Sequence, residues 1–141
     1  MNTNYNVDYF IKKFEAIPES KWCTAWISRD DKHCASGHCG ITNYYDLNPE
    51  VKGLIELFKK LKLTLKTWVC PLSSEVKQIV YVNDSSSLEY DQHTPKQRIL
   101  AALNDIKKMQ ETKKHVDITG ELAILPVDET SDTLQNLVLN N

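Results

Sequence analysis

A chain of 141 residues with 41% hydrophobic content is long enough to bury a core of its own and suits a single domain. Lys+Arg 17 against Asp+Glu 19 leaves a formal net charge of -2, so no global field draws the protein to nucleic acid or to an anionic membrane. Arg29 and Arg98 are its only arginines, which further weakens a nucleic-acid reading, because arginine is the usual planar reader of phosphate and guanine.

The start, MNTNYNVDYF, lacks the basic region and apolar run of a secretory signal. No window approaches the roughly 18 apolar residues of a bilayer span. The expectation is a soluble cytoplasmic protein whose four cysteines are thiols or metal ligands in a reducing compartment.

In chain order, Val7, Phe10, Ile11, Phe14 and Ile17 recur at helical spacing, with Asn6 as cap and Pro18 as stop. Trp22 to Ile27 is dense in aromatic, β-branched and small residues and predicts a strand. Arg29-Asp30-Asp31-Lys32 then predicts a hairpin or tight turn, with a shorter partner strand or a helix start near Cys34.

Asn48 as cap, Pro49 at the first helical position and Val51, Leu54, Ile55, Phe58 and Leu61 on one face predict the next helix. Leu63 to Val69 alternates apolar and polar residues and reads as a half-buried strand ended near Pro71, and Val76 to Val82 as a third strand. Asn83 to Ser87 is a turn-forming loop.

Thr94-Pro95-Lys96-Gln97 carries a complete capping box, and Ile99, Leu100, Ala102, Leu103 and Ile106 form the buried stripe that follows. The polar extension Lys107 to Lys114 is expected to fray. Leu122 to Val127 reads as one more strand, and the acidic, amide-rich end beyond it as a tail. The fold expected is α+β: about three helices packed on a small, mainly antiparallel sheet. Residues 1–114 form the domain, and 115–141 a weakly anchored extension.

Two clusters offer chemistry. Trp22 to Gly40 gathers three of the four cysteines, two of the four histidines and two of the three tryptophans. Cys23, His33, Cys34, His38 and Cys39 supply enough nitrogen and sulfur for zinc, but Cys34 and Cys39 are one C-x4-C pair without a second half unless Cys23 and a histidine provide it. A nucleophilic Cys34 or Cys39 needs a histidine in reach and a lowered pKa. The plainer reading is a set of core thiols, which also fits Cys70.

The second cluster spans Asn83 to Arg98, where a polar loop meets a helix start bearing two cations. Capping accounts for Thr94, Pro95 and Gln97, which leaves Asn83, Asp84, His93, Lys96 and Arg98 as candidate ligands for an anion or nucleotide phosphate. Tyr44, Tyr45, Tyr81 and Tyr90 are candidates to line such a pocket. The alternative is a capped helix with a solvated first turn. No glycine-rich phosphate loop or internal repeat appears, so no cofactor is expected.

Lys21-Trp22-Cys23, Cys34-Ala35-Ser36-Gly37-His38-Cys39-Gly40, Val82-Asn83-Asp84 and the run Thr94 to Leu103 together resemble a group of small uncharacterised proteins of bacteriophages and bacterial genomes. Their pattern is Trp-Cys, Cys-Ala-Leu-Gly, Asn-Asp and a terminal amphipathic helix. The resemblance covers residues 7–110, and Ser36 departs from it where leucine is usual. It implies an intracellular phage or prophage protein with no established activity, and it carries over no catalytic residue.

The function expected is therefore non-enzymatic binding inside a host cell, countering host defence by binding a host or phage protein or by sequestering a small anionic, nucleotide-like ligand. Specific nucleic acid and membrane are not among the expected partners, and a homo-oligomer is compatible with the sequence. The alternatives are a small cysteine-dependent enzyme using Cys34 or Cys39, and a zinc-stabilised or oligomeric scaffold.

Overall fold

Three helices begin where the sequence places their caps. The computed structural model describes residues 5–119, with side chains through Thr112. The chain runs through α1 (Val7–Glu15), a 3-10 turn (Glu19–Lys21), β1 (Ser28–Arg29), β2 (Lys32–His33), α2 (Ala35–His38), α3 (Pro49–Phe58), α4 (Lys77–Asn83) and α5 (Pro95–Thr119). The Asn6 carboxamide accepts the Tyr9 N–H at 2.9 Å and Asn48 accepts that of Val51 at 2.8 Å. Thr94 and Gln97 close the capping box in both directions, at 3.1 and 3.2 Å.

The architecture is α+β: helices accompanied by a two-stranded antiparallel sheet, with Ser28 opposite His33 and Arg29 opposite Lys32. So small a sheet is no layer for helices to pack on, and they pack on one another, α1 on α3 and α4 on both α2 and α3. Phe10, Phe14, Val51, Leu54, Phe58, Val76, Ile79, Ile99, Leu103 and Ile106 are fully buried between them. Lys13 and Tyr9 on α1 both reach the Glu50 carboxylate at the start of α3.

The expected strand at Val76 to Val82 is instead α4. Its β-branched residues favour a strand locally, yet Val76, Ile79 and Val82 stand at three-residue spacing and are all buried, and burial of that stripe overrides propensity. With that neighbour gone, Leu63 to Val69 is extended but not a strand; it makes one bridge, Leu65 to Ser87, with Lys66 N–H donating to Ser86 O and Leu88 N–H to Thr64 O, both at 2.9 Å. Trp22 to Ile27 is likewise not a strand: after a single bridge from Trp22 to His33 the chain bends, Ala25 takes φ +70°, and regular pairing begins only at Ser28.

α5 is continuous through Lys107 to Lys114, where fraying was expected, and reaches Thr119. Residues up to Lys107 form one compact unit, and from Lys108 the chain groups as a second. The expected strand at Leu122 to Val127 and the tail beyond it lie outside the described residues. No helix among the described residues is long and apolar enough to cross a membrane.

The two cations in the first turn of α5 serve the carbonyl ends of other helices. Arg98, only 5% exposed, donates through Nε to Val82 O at 3.1 Å, through Nη2 to Asn83 O at 2.7 Å and through Nη1 to Gln92 O at 2.7 Å. Lys96 Nζ donates to Glu15 O, the last residue of α1, at 3.0 Å. A cation is misplaced at the positive end of its own helix but well placed at the negative end of another.

Arg98→Met is therefore expected to destabilise by about 3 kcal/mol, because it strips donors from buried carbonyls, whereas Lys96→Met, at a partly exposed contact, costs about 0.5 kcal/mol. Urea unfolding of the two variants checks this, and equal small losses would contradict the assignment.

Candidate functional site

The stretch from Cys23 to Cys34 leaves the core and returns to it. Its ends are closed by Cys23 N–H to His33 O at 3.1 Å and by Cys34 N–H to Ile27 O at 3.0 Å. Gly37 permits that closure, since a Cβ there would meet the Ile27 carbonyl oxygen at 2.3 Å.

Asn83 and Asp84 hold the loop from below. The buried Asn83 accepts the Ala35 N–H at 3.1 Å and donates to Cys23 O at 3.0 Å and to the Asp84 carboxylate at 2.8 Å. The other Asp84 oxygen accepts the Ala25 N–H at 3.2 Å, at the residue with φ +70°. Burial raises the Asp84 pKa above the usual carboxylate value, against the Asn83 and Ala25 hydrogen bonds and the Arg98 charge that lower it.

The held loop lifts Trp26 into solvent, 54% exposed, with the Arg29 guanidinium 5.7 Å from its ring centroid. Beside it lies an open groove of about 330 Å³ lined by Ala25, Trp26, Ile27, Ser28, Thr42 and Tyr44. Ser28 Oγ and His33 Nδ1 share a hydrogen bond at 2.6 Å across the hairpin. The Tyr44 phenol stays protonated, its pKa pushed up to about 12 by burial and by Cys34, Asp84 and Cys23 nearby.

Of the residues read from the sequence as ligands, Asn83, Asp84 and Arg98 come together, but around backbone groups: their polar atoms are spent on carbonyls and N–H groups of the protein itself. Lys96 bonds Glu15 O, and His93 is exposed. The tyrosines do not gather at that edge. Tyr44 lines the groove, Tyr45 is exposed, Tyr81 Oη accepts the Leu72 N–H, and Tyr90 Oη donates to Asp105.

Cys34 and Cys39 are embedded, Cys23 is half-buried and Cys70 is exposed. Cys34 is the N-cap of α2 without a side-chain capping bond; burial pushes its pKa up to about 11 against the lowering influence of the Gly37 and Ser36 backbone, and burial takes that of Cys39 to about 12. His38 packs its ring 4.6 Å from Trp22 and 5.2 Å from His33, and its Nε2 has no hydrogen-bond partner. Burial first, and His33 second, push its pKa down to about 4. Among the described residues no group of three or more His, Cys, Asp or Glu is arranged to hold a metal ion.

Sequence reasoning missed Trp26, Ser28 and Thr42 because Trp26 was assigned to a strand. The signal available was the hairpin itself: the two-residue Asp30-Asp31 turn sets Arg29 opposite Lys32 and leaves Trp26 outside the ladder. Comparison of the chain with protein-family models, with curated proteins and with solved structures finds no match.

Two outcomes follow from this environment. A thiol reagent at neutral pH is expected to label exposed Cys70 first, Cys23 more slowly, and Cys34 and Cys39 only on unfolding; fast labelling of Cys34 or Cys39 in the native protein would contradict their burial. For His38 the unfolded value is near 6.5 and the native one about 4, so the unfolded chain binds the extra proton between them. The stabilisation from neutral His38 is complete above pH 6.5 and is lost as pH falls toward 4. The stability of the protein relative to His38→Phe, measured by urea unfolding at pH 7, 6, 5 and 4, is expected to decline over that window, and a flat difference would refute it.

Proposed function

We propose that this chain is a non-enzymatic binding protein whose recognition surface is the Trp26 groove. One observation carries the reading: a tryptophan 54% exposed stands on a loop that buried Asn83 and half-buried Asp84 fix at the backbone of Cys23 and Ala25 and at Ala35, where α2 begins. Holding an apolar ring in water on a backbone that includes a positive φ at alanine opposes stability, and a rigid exposed aromatic is what a binding surface uses.

The embedded Cys34 and Cys39 thiols, protonated at neutral pH, lend no support to the cysteine-enzyme alternative. The resemblance read in the sequence to small bacteriophage and bacterial proteins is the ground for proposing a role in the cytoplasm of a bacterial host cell, toward a host or phage protein or a small anionic ligand.

Trp26→Ala tests the reading. Because the side chain is more than half in water, the variant is expected to unfold within about 0.5 kcal/mol of the parent. A species retained from bacterial lysate by the parent, and read by native mass spectrometry, should be weakened at least tenfold, about 1.4 kcal/mol. Equal retention by both proteins, or none by the parent, would overturn it.

A further inference from the structure

The hairpin beside the groove carries an electrostatic conflict. Arg29 and Lys32 are register partners in the β1–β2 ladder, and directly opposed side chains of an antiparallel pair leave the same face with their Cβ atoms about 5 Å apart. Like charges so placed destabilise the pair. Among the described residues neither makes an ion pair. The neighbouring Asp31 carboxylate bonds Lys21 at 2.6 Å and also attracts Lys32, and Asp30 occupies the turn with φ +58°.

Arg29 instead lies over Trp26, 5.7 Å from the ring centroid. A guanidinium held over an indole face by a cation–π contact keeps N–H donors free at its edge, a geometry suited to phosphate oxygens. Two neighbouring cations are satisfied together by one anion that offers several oxygens. The adjoining groove supplies the flat walls of Trp26 and Tyr44 together with the hydroxyl of Thr42, which suit a planar ring attached to a polyhydroxylated body.

We propose that Arg29 and Lys32, with the Trp26 groove, form a binding site for a nucleoside diphosphate, the phosphates on the two cations and the base against the aromatic wall. This rests on the reading of the groove as the recognition surface. It sets the anion at the hairpin rather than at the start of α5, where Arg98 is enclosed by carbonyls.

The test is calorimetric titration with ADP and UDP, with adenosine and inorganic pyrophosphate as half-ligands, on the full chain. At least one nucleotide is expected to bind at least tenfold more tightly than either half-ligand, and affinity should fall as salt rises. Arg29→Gln and Lys32→Gln are each expected to weaken nucleotide binding at least tenfold while leaving the urea midpoint unchanged or raised, since each also removes the like-charge contact.

A merely structural role for the pair predicts a lowered midpoint instead, and that result would overturn the proposal. So would binding of neither nucleotide at millimolar concentration, pyrophosphate binding as tight as the nucleotide, or variants that bind as the parent does. If the nucleotides fail while a lysate species is still lost on Trp26→Ala, the ligand class falls and the recognition surface stands.

Discussion

The Arg98 guanidinium is the contact through which the rest of the molecule is arranged. It sits in the first turn of α5, where the helix dipole of α5 opposes a positive charge, and its donors are taken up by Val82 O and Asn83 O at the end of α4 and by Gln92 O in the loop between them. The α4 end carries the compensating negative pole, so one side chain closes α4 and fixes the approach of α5. Lys96 repeats the device on a smaller scale at Glu15 O of α1. The first turns of α5 thereby find their place through charge as well as through the burial of Ile99, Leu103 and Ile106.

What Arg98 fixes, Asn83 and Asp84 pass on. With Asn83 O held by the guanidinium, the Asn83 carboxamide is free to serve Ala35 N–H and Cys23 O, and Asp84 to serve Ala25 N–H. Two backbone points of a loop with little regular structure, and the start of α2 that follows it, are thus referred to the end of one helix. The Asp84 carboxylate is kept in a site that disfavours its charge, and the Arg98 charge is part of what retains it there. Loop, helix end and guanidinium behave as one polar network, in which each member leaves another unsatisfied if removed.

Much of the helical framework was legible because caps are local. Asn6, Asn48 and the Thr94–Gln97 box announce helix starts through side-chain bonds spanning three residues, and a sequence contains all that such a bond requires. Val76 to Val82 was not legible in the same way: its strand-like residue types are local, whereas the reason it is helical, the alignment of Val76, Ile79 and Val82 against α2 and α3, is supplied by partners elsewhere in the chain. Arg98 misled for a related reason. Beside a helix start it reads as a partner for an anion, and nothing nearby in sequence shows that the carbonyl ends of α4 will fill that place. The fate of Leu63 to Val69 followed from α4, since an extended segment becomes a strand only when a neighbour offers a ladder.

Several of the cations are placed by contacts within the protein. Lys13 is held by Glu50, Lys21 by Asp31, Lys66 by Asp91, and Lys96 and Arg98 by carbonyls, so each side chain has a contact that explains its position. Arg29 and Lys32 are also fixed in position, by a two-residue turn and its register, yet that position sets like charges side by side next to an exposed indole. Long side chains on an unconstrained surface relieve such repulsion by swinging apart. A hairpin clamped at Cys23, Ala25 and Cys34 fixes the backbone from which both cations leave, Arg29 lying over Trp26 and Lys32 beside Asp31, and a bound anion is the ligand that would engage the two together.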